Sequence, residues 1–500
     1  MHNLTAFIRF HATERPDATA VIYEGQRISY AELLDRARAA ASWLRGEGIG
    51  PGDIVALLMK NSAGFLDLML GVSHIGAVLL PINYRLAAAE IRYIHDHAGV
   101  KLLLADDELA AAADDLPNVR TVDTAAQHDI RTLATGEDRP DPVRRTGGDL
   151  YRLMYTSGTT DHPKGVIHRY DNFYWKTMDQ AVALQQSAQD RLLVVGPMYH
   201  VGGIDLPGIG VLWTGGTLVI HREFEPEAAL AAIRDERITG AWFAPVMTNM
   251  ILNHPARGEY DVSSLRWCIG GGERTPETRI REFGDLFTRA RYIDAYGLTE
   301  SFGGDTLMEA GMEIEKIGST GRAIMHVELD IRDDDGRSLP PDADGEICLR
   351  GPKITEGYWR DPEKTAGAFH PEDWFRTGDV GHVDADGFLY LTDRKKDMII
   401  SGGENIASSE VERVVYQMDD VLEAAIIGLP DAQWGERVAA VIVPKSGSTL
   451  DRATLDAHCR QHLAGFKCPK DLYVVEELPR NPSGKVLKRV LREQLGETET

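Results

Sequence analysis

The chain has 500 residues, of which 43% are hydrophobic and 26% are charged, and its formal net charge is -23. This length is too great for one compact core, so at least two globular domains are expected. The acidic balance argues against nucleic acid as a partner, because binding to a phosphate polymer depends on clustered Lys and Arg.

Targeting and redox signals point to a cytoplasmic protein. The 4 cysteines show no CxxC spacing, which predicts a reducing compartment without disulfides or a zinc site. The first 17 residues include Arg9, Glu14 and Arg15 and have no sustained apolar core, unlike a signal peptide. Polar residues interrupt the most apolar region, 65–82, which predicts a buried helix running into a strand and no integral membrane segment.

Helix and strand patterns alternate through the first part of the chain. Ser29 and Glu32 have the spacing of a capping box, which predicts a helix that ends by Gly46. The next patterns predict strands at 53–59, 77–81 and 101–105, with helices at 65–75 and 87–97 between them. Such alternation predicts a mostly parallel sheet with helices on its faces. Residues 106–149 show little periodicity and are expected to connect elements.

Further apolar runs predict buried strands at 192–195, 218–220, 241–244 and 267–269. Ligands of open α/β sheets bind where parallel strands end, so loops that follow such strands are candidate site loops. From about Ile317 the period changes to two, and turns at 334–336 and 384–387 predict antiparallel sheet. Beyond this region, the S-x-x-E spacing at 409–412 predicts another capped helix, and residues 451–463 form an amphipathic one.

The stretch 155–166, YTSGTTDHPKGV, combines glycines and hydroxyl side chains with Lys164. A glycine-punctuated turn with such side chains is suited to bind phosphate oxygens. Its spacing is not the Walker pattern, because Lys164 follows Pro163 and no Lys-Ser or Lys-Thr pair follows. The same composition is typical of a solvated surface loop, and composition alone leaves both interpretations open.

Four further stretches favour the phosphate-binding interpretation of this loop. They are YGLTE at 296–300, WFRTGD at 374–379, DRKK at 393–396 with SGGEN at 401–405, and PRNPSGK at 479–485. In order and spacing, the five stretches resemble the motifs of the adenylate-forming enzymes, which include acyl-CoA synthetases, luciferases and nonribosomal adenylation domains. The resemblance covers most of the chain. It implies a large N-terminal domain, of two α/β sheets and a distorted β-barrel, and a small mobile α+β C-terminal domain. We therefore predict domains at 1–393 and 397–500, with a hinge at 394–396 centred on Lys396.

The resemblance also implies a nucleotide site. The loop at 155–166 would hold the β- and γ-phosphates, Tyr296 would stack on adenine, and Asp379 with Arg394 would hold the ribose. The alternative for Arg394 is a surface ion pair with Asp393 or Asp397. Asp161 stands where relatives commonly carry glycine, and its charge would lie near the pyrophosphate. The predicted ATP- and AMP-binding residues are Thr156, Ser157, Gly158, Thr159, Thr160, Lys164, Gly271, Gly272, Glu273, Asp294, Ala295, Tyr296, Gly297, Thr299, Asp379, Arg394 and Lys485.

The predicted catalytic residues are Lys485, Thr299, Glu300 and His200. A carboxylate that attacks the α-phosphorus of ATP becomes bonded to AMP, which is the leaving group in the next step. The negative charge that develops around the α-phosphorus during this attack must be neutralised. By the resemblance, Thr299 and Lys485 would contact the α-phosphate and Glu300 would hold Mg²⁺, which needs only one or two carboxylates. Alone, a Thr-Glu pair is more typical of a helix cap, and a lysine in a polar turn is usually solvated.

The acid pocket is predicted from glycines that leave volume and aromatic residues that supply a flat wall, which favours an aryl or medium-length acyl group. His200 occupies the place where amino-acid-activating relatives carry an aspartate, although a lone histidine is more often a core residue. Asp205 and Asp305 are candidates either for contacting a polar substituent or for capping turns. The predicted pocket residues are Tyr199, His200, Gly203, Trp242, Gly270, Gly303 and Gly304.

Gly402, Gly403 and Glu404 are implied to line the channel for coenzyme A, although Ala407 and Ser408 replace an aromatic residue and a proline common in relatives. The predicted function is an ATP-, Mg²⁺- and CoA-dependent carboxylic acid:CoA ligase, as a monomer or homodimer. One alternative is an adenylating enzyme that transfers its acyl group to a carrier protein. Another is a relative that adenylates nitrite or another oxyacid, as in diazo formation on an aryl amine.

Overall fold

Strands and helices alternate along most of the chain. The computed structural model describes residues 2–134, 136–156, 163–271, 275–394, 397–401, 404–431, 433–448, 450–480 and 486–496, and leaves out the side chains of Arg394 and Asn405. Among the described helices, none combines the length and the apolar character that a membrane crossing requires.

Two mostly parallel sheets form the first part of the molecule. In chain order their strands are β1 (Thr19–Tyr23), β2 (Gln26–Ser29), β3 (Ile54–Leu58), β4 (Val78–Pro81), β5 (Leu102–Asp106), β6 (Val119–Val122), β7 (Leu150–Thr156), β8 (Lys164–Arg169), β9 (Arg191–Val194), β10 (Thr217–Ile220), β11 (Gly240–Phe243), β12 (Trp267–Gly271), β13 (Arg291–Tyr296), β14 (Thr306–Leu307) and β15 (Arg322–Ala323). One sheet has the order β6-β5-β3-β4-β7-β8, and the other has the order β15-β14-β13-β12-β11-β9-β10-β1-β2.

Helices pack on both sheets. They are α1 (Thr5–Glu14), α2 (Tyr30–Gly46), α3 (Ala63–His74), α4 (Ala88–Ala98), α5 (Thr124–His128), α6 (Tyr170–Ala183), α7 (Gly210–Thr214), α8 (Pro226–Asp235), α9 (Pro245–Leu252) and α10 (Glu277–Leu286). Because both faces of the sheets are covered, central strands such as β3 and β5 are buried at every position, which explains their continuous apolar runs.

The change of period near Ile317 marks an antiparallel sheet. It contains β16 (Glu328–Arg332), β17 (Gly345–Arg350), β18 (Phe369–His370), β19 (Trp374–Val383) and β20 (Leu389–Arg394), with the short helix α11 (Pro362–Gly367) before β18. The predicted turns are present, since the N–H groups of Gly336 and Gly387 donate to the carbonyls of Asp333 and Asp384.

A separate small sheet follows, with its own hydrophobic core clusters. Its elements are β21 (Ile399–Ser401), β22 (Glu404–Ile406), α12 (Ser408–Val415), β23 (Val421–Asp431), β24 (Gly435–Pro444), α13 (Arg452–His462), β25 (Asp471–Val474) and α14 (Lys488–Gly496). The predicted α/β fold class, with two sheets, an antiparallel sheet and a small α+β unit, is confirmed.

The local predictions succeed where side-chain pattern decides the structure. The Ser29 hydroxyl accepts the Glu32 N–H at 3.2 Å and the Glu32 carboxylate accepts the Ser29 N–H at 3.0 Å, as a capping box requires. Strand β6 was not predicted, because it is an edge strand in which only Val122 is fully buried. An edge strand of this kind has little of the apolar pattern on which sequence-based assignment depends.

The capping box predicted at 409–412 is wrong. Helix α12 begins two residues earlier than that box requires, and its N-cap residue, Ala407, makes no side-chain cap hydrogen bond. The Ser409 hydroxyl donates to the Thr392 carbonyl, and Glu412 accepts the Ile426 N–H at 2.9 Å. Tertiary contacts to neighbouring strands therefore use both side chains that the pattern assigned to the helix terminus.

Candidate active site

Several of the predicted nucleotide residues lie where the parallel strands β12 and β13 end. Strands β12 and β13 run side by side, and their register places Gly271 beside Ala295 and Gly270 beside Asp294. Gly297 follows β13, and a Cβ there would lie 2.3 Å from the amide nitrogen of Gly304, so two predicted site segments touch through their backbones. The short 3-10 turn Thr299–Ser301 comes next.

Glu300 forms a small polar cluster with Lys164 and Tyr358. The Tyr358 hydroxyl donates to Glu300 Oε1 at 2.9 Å, and the Lys164 ammonium donates to the Tyr358 oxygen at 3.0 Å. The distance from Lys164 Nζ to Glu300 Oε1 is 4.0 Å, and the two side chains keep exposures of 27% and 12%. Burial and the nearby carboxylate raise the pKa of Tyr358, so its phenol stays neutral and remains a donor. The cluster can therefore receive a phosphate and its cation.

Thr156 and Lys164 stand opposite each other across β7 and β8. The Thr156 hydroxyl oxygen is buried and has no hydrogen-bond partner among the described residues. Leaving such a group unsatisfied is costly, and a bound anion would satisfy it. The rest of the predicted phosphate loop, which comprises Ser157, Gly158, Thr159, Thr160 and Asp161, lies outside the described residues.

The residues predicted for adenine and ribose are adjacent. The Tyr296 hydroxyl donates to Asp379 Oδ2 at 2.9 Å, and burial together with that carboxylate raises the pKa of Tyr296. Strands β19 and β20 pair Asp379 with Arg394, whose side chain is not described. The sequence places these residues in three separate motifs, and the fold brings them to one point.

His168, which the sequence analysis did not single out, supports Thr299. Its Nδ1 accepts from the Arg152 guanidinium at 3.2 Å, which leaves the proton on Nε2 to donate to the Thr299 carbonyl at 2.7 Å. The imidazole also stacks on Phe302, with ring centroids 3.7 Å apart. Burial, reinforced by Arg152, holds the pKa of His168 well below its ordinary value, so the ring is neutral and its tautomer is fixed.

Two predicted pocket glycines are filled by the chain's own atoms. A Cβ at Gly203 would lie 2.0 Å from the Pro197 carbonyl oxygen, and one at Gly270 would lie 1.8 Å from the Tyr292 hydroxyl. By contrast, a Cβ at Gly303 would meet only Val201 and Leu206, at 3.6 and 3.7 Å. A Cβ at Gly304 would lie 2.9 Å from the Gln180 amide nitrogen. Of the four predicted pocket glycines, Gly303 is therefore the least crowded, with apolar side chains at ordinary contact distance.

Aromatic residues line the ends of β9 and β11. Trp242 packs so tightly on the backbone that a Cβ at Gly202 would approach its ring to 2.7 Å. His200 Nδ1 accepts the Gly202 N–H at 3.1 Å, at the start of the π-helix Val201–Ile209, and its ring centroid lies 6.5 Å from that of Trp242. Tyr199 packs edge-on against Tyr84 with centroids 5.2 Å apart.

Asp205 and Asp305 are both engaged by cations of the chain. Asp205 pairs with Arg152 at 2.7 Å and Asp305 pairs with Lys353 at 2.8 Å. All four side chains are buried, with exposures of 0 or 1%. Neither carboxylate is therefore available to a substituent of the acid in this structure.

The residues predicted for coenzyme A are only partly described. Glu404 is exposed on β22, whereas Gly402, Gly403 and Lys396 lie outside the described residues, as do Lys485, Gly272 and Glu273. Ser408, one of the two departures from relatives, is fully buried, and its N–H and hydroxyl donate to Asp393 Oδ2 at 2.7 and 2.6 Å. It thus ties the start of α12 to β20.

The sheets, the strand-end cluster and the separate small sheet define a mixed α/β enzyme. The chain belongs to the family of AMP-binding enzymes, because the model of that family matches residues 8–359. The model of the AMP-binding enzyme C-terminal domain matches residues 410–485. The predicted family is therefore confirmed.

Similar proteins cover nearly the whole chain. A feruloyl-CoA synthase from an Amycolatopsis species is 36% identical over 481 residues, 96% of each chain. A long-chain-fatty-acid–CoA ligase from Mycobacterium tuberculosis is 36% identical over 507 residues, 100% of this chain and 99% of the other. The structure of o-succinylbenzoate CoA synthetase from Bacillus subtilis, in complex with its acyl-adenylate intermediate, aligns with a TM-score of 0.88 at 29% identity, covering 98% of this chain and 97% of that one.

Proposed function

We propose that the chain is an ATP-dependent carboxylic acid:CoA ligase that forms an acyl-adenylate and then an acyl-CoA thioester. The observation that carries this proposal is the partly exposed cluster of Glu300, Lys164 and Tyr358 at the strand ends. It combines a carboxylate and an ammonium near Thr156, whose hydroxyl has no hydrogen-bond partner among the described residues. The similar proteins named above are CoA ligases, and one was solved with an acyl-adenylate.

In the first half-reaction, a carboxylate oxygen of the acid attacks the α-phosphorus of ATP. The new oxygen–phosphorus bond forms as the bond to pyrophosphate breaks, so AMP becomes attached to the acyl group. Lys164 and the segment at 156–160 would hold the departing pyrophosphate, and Thr299 would contact the α-phosphate. Lys485 would neutralise the charge that develops during displacement.

Glu300 would hold Mg²⁺, which would supply charge neutralisation at the phosphates. The donor set fits this ion, because Mg²⁺ bound to a nucleotide takes one or two protein carboxylates and completes its shell with phosphate oxygens and water. The described residues contain no cluster of three or more His, Cys, Asp or Glu side chains that could form a separate metal site.

In the second half-reaction, the thiol of coenzyme A loses its proton and attacks the acyl carbonyl carbon, and AMP leaves. Gly402, Gly403 and Glu404 would line the thiol channel. A rotation at Lys396, between domains at 1–393 and 397–500, would replace Lys485 by that channel. A cytoplasmic location is part of the proposal, supported by four cysteines that are all free and buried.

The acid should be an aryl or medium-length acyl acid with an apolar body. Val201 and Leu206 lie at ordinary contact distance from a Cβ at Gly303, and Trp242 lies in β11. By the resemblance, His200 would occupy the pocket position where amino-acid-activating relatives carry an aspartate for the amino group. An amino substituent would find Asp205 and Asp305 already paired with Arg152 and Lys353.

The test is an acid-by-acceptor matrix that measures AMP release. We expect release that requires ATP, Mg²⁺, an apolar acid and coenzyme A together. Two results together would support the carrier-protein alternative. They are acid-dependent pyrophosphate exchange that coenzyme A does not affect, and acylation of an added phosphopantetheinyl carrier protein. AMP release with nitrite and no carboxylic acid would support oxyacid activation instead.

A further inference from the structure

Residues 351–358, between β17 and α11, contact two functional parts of the candidate site at once. The Tyr358 hydroxyl donates to Glu300 Oε1 at 2.9 Å, and the Thr355 N–H donates to the Glu300 carbonyl at 2.7 Å. Within the same segment, the Lys353 ammonium donates to the carbonyls of Gly303 and Gly304, both at 3.0 Å. One segment therefore supports the proposed metal ligand and the wall of the proposed acid pocket.

The wall that Lys353 contacts has an unusual backbone. Phe302, Gly303 and Gly304 are three consecutive residues with positive φ, at 60, 71 and 62°. The left-handed conformation costs a non-glycine residue such as Phe302 about 1–2 kcal/mol, so surrounding contacts must hold it. Besides Lys353, the Gln180 amide donates to the Gly303 carbonyl at 2.8 Å.

Lys353 acts through this loop and does not contact the acid itself. Its side chain and that of Asp305 are both 0% exposed, so neither lines a space that a ligand enters. Lys353 Nζ lies 2.8 Å from Asp305 Oδ1, so the carboxylate compensates the ammonium charge inside the protein. A buried ion pair seldom adds net stability relative to apolar side chains of similar volume, which favours a role in shaping the loop.

We propose that Lys353 is a positioning residue that determines which acids fit. Its ammonium, neutralised by Asp305, holds the Gly303 and Gly304 carbonyls and so fixes the distance between Gly303 and the apolar side chains of Val201 and Leu206. This inference rests on the proposed function, because it requires the acid to bind beside Gly303. The consequence is that Lys353 controls acid binding while ATP binding is left almost unchanged.

The test compares two double variants. Lys353→Met with Asp305→Leu removes both charges and the donors to the two carbonyls, whereas Lys353→Gln with Asp305→Asn removes the charges and keeps amide donors. We expect the Met/Leu variant to raise KM for the preferred acid about tenfold, as expected for two lost hydrogen bonds. Its acid-size profile should broaden, KM for ATP should stay within about twofold, and the Gln/Asn variant should recover most of the loss.

A matched control separates positioning from stability. The Arg36–Asp67 pair is equally close, at 2.8 Å, and equally buried, at 0 and 1% exposure, but it joins α2 to α3, which contribute no predicted site residue. Arg36→Met with Asp67→Leu should leave both KM values unchanged, whatever its melting temperature. Gln180→Leu supplies a milder probe if the Met/Leu variant does not fold, and we expect it to raise the acid KM about threefold.

Two outcomes would overturn this inference and leave the proposed function intact. One is an active wild-type enzyme whose folded Met/Leu or Gln180→Leu variant keeps the acid KM and the acid-size profile. The other is an equal rise in KM for ATP, which would make the effect a general loss of structure. A wild-type protein that activates no acid would overturn the proposed function, and this inference with it.

Discussion

Two groups of charged side chains lie in or near the turn Thr299–Ser301, and they differ in exposure and in pairing. Lys164 and Glu300 stay partly exposed, at 27 and 12%, and their charged atoms are 4.0 Å apart. The pairs Lys353–Asp305 and Arg152–Asp205 are closed, at 2.8 and 2.7 Å, with exposures of 0 or 1%. We refer to Lys164, Glu300 and Tyr358 as the open cluster and to the two buried pairs as the closed cluster.

The difference shows how similar residue types serve two purposes. In the open cluster the charges are only loosely satisfied by each other, so a phosphate and its cation can still bind. In the closed cluster the desolvation cost of each charge has been offset by its partner, and removing one partner leaves an uncompensated buried charge. Variants of the open cluster should therefore affect activity, and variants of the closed cluster should affect stability or pocket shape.

The largest effect is expected for Lys485, which would act with the open cluster on the reacting phosphate. Lys485→Ala should lower the rate of acyl-adenylate formation by about 10²–10³-fold, as for loss of one electrostatic contact in a transition state. Thioester formation from supplied acyl-adenylate should be much less affected, because Lys485 would have moved away by then. Equal loss in the two half-reactions, measured separately, would contradict this role.

Glu300→Gln should lower adenylation by about 10²-fold, because the amide keeps the shape but cannot hold Mg²⁺ as a carboxylate does. The melting temperature should change little, because the amide oxygen of Gln can still accept the hydrogen bond from Tyr358. Tyr358→Phe, which removes only the 2.9 Å hydrogen bond to Glu300, should have a smaller effect, about tenfold or less. Titration of Mg²⁺ at saturating ATP measures both, and a Glu300→Gln enzyme with wild-type Mg²⁺ dependence would exclude Glu300 as the ligand.

For the closed cluster, Arg152→Met should lower the free energy of unfolding by about 3–5 kcal/mol, because it leaves Asp205 buried without its partner. Adding Asp205→Leu should restore much of that loss. Chemical denaturation of the single and double variants measures the difference. A single variant as stable as the wild type would mean that Asp205 is accommodated in another way.

The sequence alone could identify the motifs of this family but not the closed cluster. The glycine-rich loop, Tyr296 and Asp379 were found because each lies in a stretch with a recognisable order of residues. Lys353 and His168 lie in segments without such an order, and only the fold shows that they contact Gly303 and Thr299. Their contacts join residues separated by 50 and 131 positions, a distance over which no local pattern extends.

Glycines illustrate the same limit. Gly203, Gly270 and Gly303 look equivalent in the sequence, since each lacks a side chain near a strand end. In the structure, the space beside Gly203 and Gly270 is occupied by Pro197 and Tyr292 of the same chain, whereas Gly303 faces apolar side chains at ordinary contact distance. Whether a glycine leaves room for a ligand or for the protein depends on tertiary packing.

A smaller effect concerns Lys176, whose ammonium lies beside the closed cluster and donates to the Asp205 carbonyl. Burial lowers the pKa of Lys176 to about 7, and the positive charges of Arg152 and Lys353 contribute to this decrease. The negative charge of Asp205 acts in the opposite direction. In the unfolded chain the lysine would keep its proton to about pH 10.4. The folded state thus binds fewer protons above about pH 7, and the free energy of unfolding should rise there by about 1.4 kcal/mol per pH unit.

Comparison with Lys176→Met isolates this contribution from other titrating groups. The difference in unfolding free energy between wild type and variant should be constant below about pH 7 and should shift in favour of the wild type up to about pH 9. A difference that does not vary over this range would show that Asp205 keeps Lys176 protonated in the folded protein.

The most direct test of the distinction between the clusters is the shift in melting temperature caused by MgATP without acid. It should be measured on the wild type, Glu300→Gln and Lys353→Gln. At about a hundredfold excess over Kd, a ligand that binds only the folded state stabilises it by about 2.7 kcal/mol, which corresponds to a shift of a few degrees. We predict that Lys353→Gln, though less stable, shows the wild-type shift and that Glu300→Gln loses most of it. A Glu300→Gln variant that keeps the full shift while Lys353→Gln loses it would contradict the assignment of nucleotide binding to the open cluster and pocket shape to the closed one.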